Sequence, residues 1–140
     1  MLLTRAVEIA KYAHAGQVDK AGADYIQHPL RVMDAVDSEE AKIVAVLHDV
    51  VEDSEISLQD LRDRGFNEAI LEAISCLTKK EGENYEQFIR RVSSNELARL
   101  VKIADLRDNM NVDRLPKVTE QDLARVTKYQ KALVTLLAHE

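Results

Sequence analysis

"AKIVAVLHDVVED", residues 41–53, is the stretch whose reading decides the fold. Ala41, Val44, Ala45, Leu47 and Val51 leave no polar face wide enough for a helix lying on a surface. The segment therefore reads as one helix through the centre of a core. Yet its second half carries His48, Asp49, Glu52 and Asp53. A spacing of four stacks His48 over Glu52 and Asp49 over Asp53 on adjacent strips of one face. Acids buried together without a cation lose hydration and repel one another. Either this end is an exposed acidic patch, or these side chains surround something positive.

Outward from the centre, the chain reads as helices on both sides. "DSEE" (37–40) is a helix start, with Asp37 or Ser38 as N-cap and acids in the first turn. Before it, "LLTRAVEIAKYAHAG" (2–16) has helical spacing and stops at Gly16, and "QVDKAGADYIQ" (17–27) is an irregular loop. His28-Pro29 then opens a helix in "PLRVMDAV". After the centre, Ser57 caps "SLQDLRDRGF", "NEAILEAISCLTK" is amphipathic, "KEGEN" is a turn, and "YEQFIRRVS" is a short helix. Asn95 starts "ELARLVKIADLRDNM", and Thr119 caps a last helix beyond Pro116. No strand-type alternation, repeat or linker interrupts this pattern. The expectation is a single all-α domain over residues 1–140, a bundle with a metal site in its core.

Composition narrows the partners. With 25 acids against 19 bases the chain carries a net charge of −6 and offers no basic stripe, which argues against nucleic acid. No apolar run reaches a membrane span of about 20 residues and no signal-peptide pattern opens the chain, so no membrane association and a cytoplasmic location are expected. The lone Cys76 lies in an apolar helical run and reads as a small buried hydrophobe.

Two further charged residues sit at unexpected addresses. Asp105 lies among Leu100, Val101, Ile103 and Ala104, and His28 stands where the loop becomes a helix. Together with His48 and Asp49 they form a set of two imidazoles and two carboxylates delivered by three elements. Such a mixed set suits Mn, Fe, Zn or Co better than calcium.

These residues also resemble a known family. "HDVVED" is similar to the H-D-x-x-E-D signature of the HD-domain metal-dependent phosphohydrolases. "AHAGQVDKAGADYIQHPLRVM", "AVLHDVVEDS", "LTKKEGENYEQFIRRV" and "VKIADLRDNM" resemble, in order, successive motifs of the RelA/SpoT hydrolase domain. The resemblance implies an HD-type helical fold and, given the chain's length, a stand-alone small alarmone hydrolase. It implies one metal, usually manganese, held by His28, His48, Asp49 and Asp105. Glu52 and Asp53 would act on the attacking water, and Lys20, Tyr25 and Asn109 would line the nucleotide pocket. The implied reaction removes the 3′-pyrophosphate of guanosine tetra- or pentaphosphate, a small-molecule partner, with oligomeric state left open. Lys20, Lys102 and Arg107 are the cations available to balance pyrophosphate, and the resemblance supports only Lys20 among them.

The chain departs from the family at Asp19, where an arginine that packs on guanine is usual, and in "NMNV" (109–112), where "NMRT" is usual. An acid at position 19 removes a stacking cation and repels phosphate, so an arginine there is expected to tighten guanine binding. Two alternatives stay open: an HD-type phosphohydrolase of another nucleotide, and a non-catalytic nucleotide-binding module.

Overall fold

In the computed structural model, residues 2–139 are described, and among them nine α-helices follow one another. They are α1 (Leu2–Ala13), α2 (Gln27–Asp34), α3 (Glu39–Leu47), α4 (Val50–Asp53), α5 (Leu58–Asp63), α6 (Glu68–Cys76), α7 (Tyr85–Ser93), α8 (Glu96–Asn109) and α9 (Glu120–Leu137). Among the described residues the only β-type pairing is one antiparallel bridge, Val18 to Asp24, which draws the loop before α2 into a narrow hairpin.

The apolar run of α3 explains the packing. Ala41 and Ile43 through Leu47 are all 2% exposed or less, so the helix needs cover on every side. α1, α2, α6 and α8 supply it, while α9 packs on α7 and α8. Helix starts are set locally: the side chains of Ser38, Ser57, Asn67, Asn84, Asn95 and Thr119 each accept a backbone N–H of the first turn. Each such cap stabilises its helix by about 1 kcal/mol. Gly16 and Gly65, at φ +81° and +98°, take the left-handed conformation just past the ends of α1 and α5.

The expected continuous helix over 41–53 is in fact interrupted. α3 ends at Leu47, His48 and Asp49 form a turn with right-handed dihedrals, and α4 resumes at Val50. The physical reason lies in His48, whose Nδ1 hydrogen-bonds to the Ala45 carbonyl at 2.5 Å and so competes for an acceptor of the last α3 turn. Asp53 N–H then bonds to Asp49 O at 2.9 Å, so the four-residue relation between Asp49 and Asp53 survives the break.

Arg91 of α7 clasps the connection leading out of α6. Its guanidinium donates to Glu83 at 2.9 Å and to the Ser75 and Thr78 carbonyls at 3.0 and 2.7 Å. Cys76, expected to be buried, is half-buried at the end of α6. Desolvation pushes its thiol pKa up, which lowers the thiolate fraction.

Candidate metal centre

Three elements meet at one point in the core. α2 carries His28, the turn between α3 and α4 carries His48 and Asp49, and α8 carries Asp105. One ligand atom from each of the four lies within 4.8 Å of every other. His28 Nε2 stands 2.8 Å from Asp105 Oδ1, and His48 Nε2 stands 3.2 Å from both Asp105 Oδ1 and Asp49 Oδ2. His28, His48 and Asp105 are 5% exposed or less, and Asp49 is half-buried.

The outer partners fit a metal. His28 Nδ1 is held by Asp108 Oδ2 at 2.6 Å, and His48 Nδ1 by the Ala45 carbonyl. Each imidazole is thereby anchored through one nitrogen and aims the other inward, as metal-binding histidines require. Tyr25 donates its hydroxyl to Asp49 Oδ2 at 2.5 Å, and Lys102 Nζ donates to Asp105 Oδ2 at 2.9 Å.

The electrostatics fit as well. Burial drives the His28 pKa down, but the hydrogen bonds with Asp105 and Asp108 outweigh it and raise it to about 9. His48 is also raised, its burial outweighed by Asp49 and Asp105. Burial alone would raise Asp105, yet Lys102 and the two histidines hold it well below the usual carboxylate range. Protons on the imidazoles thus neutralise a carboxylate cluster that a cation would otherwise neutralise.

Glu52 and Asp53 lie beside this ring on α4 and are exposed rather than buried. Partial desolvation raises both carboxyls, and the charge on Asp49 adds to the effect in each. Raised carboxyls next to a metal site are better proton acceptors than ordinary ones.

A cleft of about 460 Å³ is lined by Tyr25, His28 and Asn109 and so meets the ring at His28. Lys20 is exposed on its wall, and Asn109 Nδ2 reaches Asp105 Oδ1 at 3.3 Å. Lys102, considered above as a phosphate-balancing cation, is committed to Asp105, and Arg107 is exposed and absent from the cleft walls. Arg31, Arg114 and Arg125 also line the cleft, each beside an acid: Arg31 and Arg114 next to Asp108, Arg125 next to Asp122.

Asp19 lines the cleft and also braces its own turn, its Oδ1 accepting the N–H groups of Ala21 and Ala23 at 2.9 and 3.0 Å. An arginine there would forfeit both bonds.

Sequence reasoning missed Asp108, Arg31 and the brace at Asp19. Asp108 had one available signal, since it falls one turn after Asp105 on α8. The turn at Asp19 had a local signal too, since its partners Ala21 and Ala23 lie two and four residues on, whereas Arg31 had none, because its partner is 77 residues away.

No family model matches the chain. It is 30% identical, over 98% of its length, to a guanosine-3′,5′-bis(diphosphate) 3′-pyrophosphohydrolase of Aquifex aeolicus, covering 21% of that protein. It is 32% identical, over 91% of its length, to a probable enzyme of the same name from Synechocystis, covering 19%. It is 26% identical, over 98%, to the bifunctional (p)ppGpp synthase/hydrolase SpoT of Escherichia coli, covering 21%. The chain therefore spans about a fifth of the length of these curated relatives. Among solved structures, a metazoan SpoT ortholog described as hydrolysing ppGpp superposes with a TM-score of 0.77 at 22% identity, over 97% of this chain and 85% of that one. By sequence over about a fifth of those relatives, and by fold, the chain resembles an HD-type RelA/SpoT hydrolase domain.

Proposed function

We propose that the chain is a metal-dependent phosphohydrolase that releases the 3′-pyrophosphate of guanosine tetra- and pentaphosphate. The observation that carries this reading is the convergence of His28, His48, Asp49 and Asp105 within 4.8 Å, with His28 lining an open cleft. The names of the curated relatives support the substrate.

In this reading the four residues hold a divalent cation, most consistent with manganese given the mixture of imidazole and carboxylate. Bound there, such an ion supplies Lewis acidity toward a phosphoryl oxygen and lowers the pKa of water. Glu52 and Asp53 orient the attacking water and accept its proton. Water adds to the phosphorus attached to the 3′ oxygen, the bond from that oxygen to phosphorus breaks, and the proton taken from water passes to the freed 3′ oxygen. The products are pyrophosphate with the 5′-diphosphate nucleotide from the tetraphosphate or the 5′-triphosphate nucleotide from the pentaphosphate. Tyr25 holds Asp49 in position through its hydroxyl, which burial and then the Asp49 charge keep protonated. Lys20 faces the phosphates and Asn109 the nucleotide.

A second reading keeps the chemistry and changes the base. Asp19 is tied into its own turn, so no stacking cation stands at that position, and Arg114 and Arg125 each sit beside an acid. A panel of phosphorylated nucleosides incubated with manganese, with products resolved by ion exchange, separates the two. Release of pyrophosphate from guanosine tetraphosphate supports the first. An untouched tetraphosphate alongside hydrolysis of another nucleotide supports the second.

A further inference from the structure

His14 is 2% exposed, yet the metal ring and the proposed chemistry make no use of it. Its hydrogen bonding can be settled by elimination. Gln17 Nε2 faces two carbonyls, Asp53 O at 3.1 Å and Ala13 O at 3.3 Å, and only an amide NH2 can satisfy both. The Gln17 amide oxygen must then face His14 Nδ1, 2.9 Å away, so Nδ1 carries the proton and donates. The Nε2 atom is buried without a hydrogen-bond partner, so the ring is held through Nδ1 and through its faces.

One face matters. The His14 ring lies 4.9 Å from the Tyr25 ring, centroid to centroid, and Tyr25 donates to Asp49. A single buried imidazole therefore meets the site by two routes. Through Gln17 it ties the backbone at the end of α4, where Asp53 stands. Through Tyr25 it backs the hydroxyl that orients Asp49. The contact from Gln17 to Asp53 spans 36 residues of sequence and links the loop after α1 to the acid pair.

We propose that His14 and Gln17 form a positioning brace, which sets Asp53 and Tyr25 relative to the metal ring and acts on turnover without touching substrate. The proposal rests on the hydrolase reading for its kinetic consequence but not for its structural one. A displacement of about 1 Å in a catalytic group can cost on the order of a hundredfold in rate.

The test compares four variants. Gln17→Met removes the amide at equal length, and Gln17→Glu keeps the acceptor for His14 while losing the donor to Asp53. His14→Leu removes ring and donor, and His14→Asn restores an N–H at the Nδ1 position without the ring. We expect Gln17→Met, Gln17→Glu and His14→Leu to lower kcat about tenfold or more on guanosine tetraphosphate. KM and metal content should stay within about threefold of wild type, and His14→Asn should recover part of kcat. Amide hydrogen exchange over Asp53–Ile56 should quicken in Gln17→Met and Gln17→Glu. A lower melting temperature with kcat within twofold of wild type and unchanged exchange would overturn the brace. Should the leucine and methionine variants fail to fold, the glutamate and asparagine variants decide by the same readouts. The exchange measurement needs no substrate. An inactive wild type therefore overturns the hydrolase reading alone, and the exchange result still decides the brace.

Discussion

Asp108 contributes no atom to the metal ring, yet it is predicted to control metal affinity. Its carboxylate accepts from His28 Nδ1 at 2.6 Å and from Arg31 at 2.9 and 3.1 Å. Those partners, His28 and Arg31, outweigh its partial burial and hold its carboxyl well below the usual range. Asp108→Leu leaves the His28 ring without its outward anchor, free to rotate and to change which nitrogen carries the proton. Loss of such an outer partner typically weakens metal binding about 10- to 100-fold, which corresponds to roughly 1.4–2.8 kcal/mol. Asp108→Asn retains one acceptor oxygen, so it can serve His28 or Arg31 and should fall at the lower end. Arg31 is about a third exposed and can turn to water, so the separate cost in fold stability should stay near 1–2 kcal/mol. Competition between the apo protein and a chelator for manganese, with melting temperature measured alongside, separates the two effects. Wild-type manganese affinity in a folded Asp108→Leu variant would refute the reasoning.

Three other outcomes follow from the same geometry. Glu52→Gln and Asp53→Asn should each lower turnover about 10²- to 10⁴-fold while metal content stays near one per chain, and full activity in both would reduce the acids to a solvated face. In metal-stripped protein the His28 pKa is raised from 6.5 to about 9, so its contribution to stability is fully present below pH 6.5 and is lost as pH rises through about 9. Melting temperature should therefore fall across that window in chelator-treated protein and not in metal-loaded protein; a flat profile without metal contradicts the ion pairing. Asp19→Arg should loosen the hairpin by about 1–3 kcal/mol through loss of the one oxygen that accepts two N–H groups and raise KM, whereas Asp19→Asn should behave like wild type. A lower KM in Asp19→Arg would restore the stacking expectation.

The helices and the ring were legible for one reason: their signals are local. Ser38, Ser57, Asn95 and Thr119 cap within three residues of themselves, and the run from Ala41 to Leu47 has no polar face. Asp105 and His48 stood out because a charge amid aliphatic neighbours needs a partner. The rest depends on which segments meet. Asp108 to His28 spans 80 residues, Arg31 to Asp108 spans 77, and Gln17 to Asp53 spans 36. No spacing rule encodes those pairs. The break at His48 was hidden because a side chain there competes with the helix ladder, and the role of Asp19 because its carboxylate accepts from N–H groups of its own turn.

The central claim is that a metal held by His28, His48, Asp49 and Asp105 is required for pyrophosphate release. It is tested most directly by following guanosine tetraphosphate with chelator-treated protein before and after one equivalent of manganese is returned. No pyrophosphate before addition and stoichiometric conversion afterwards is the predicted result. Release that proceeds unchanged in the stripped protein, or none with manganese bound at one per chain, would contradict it.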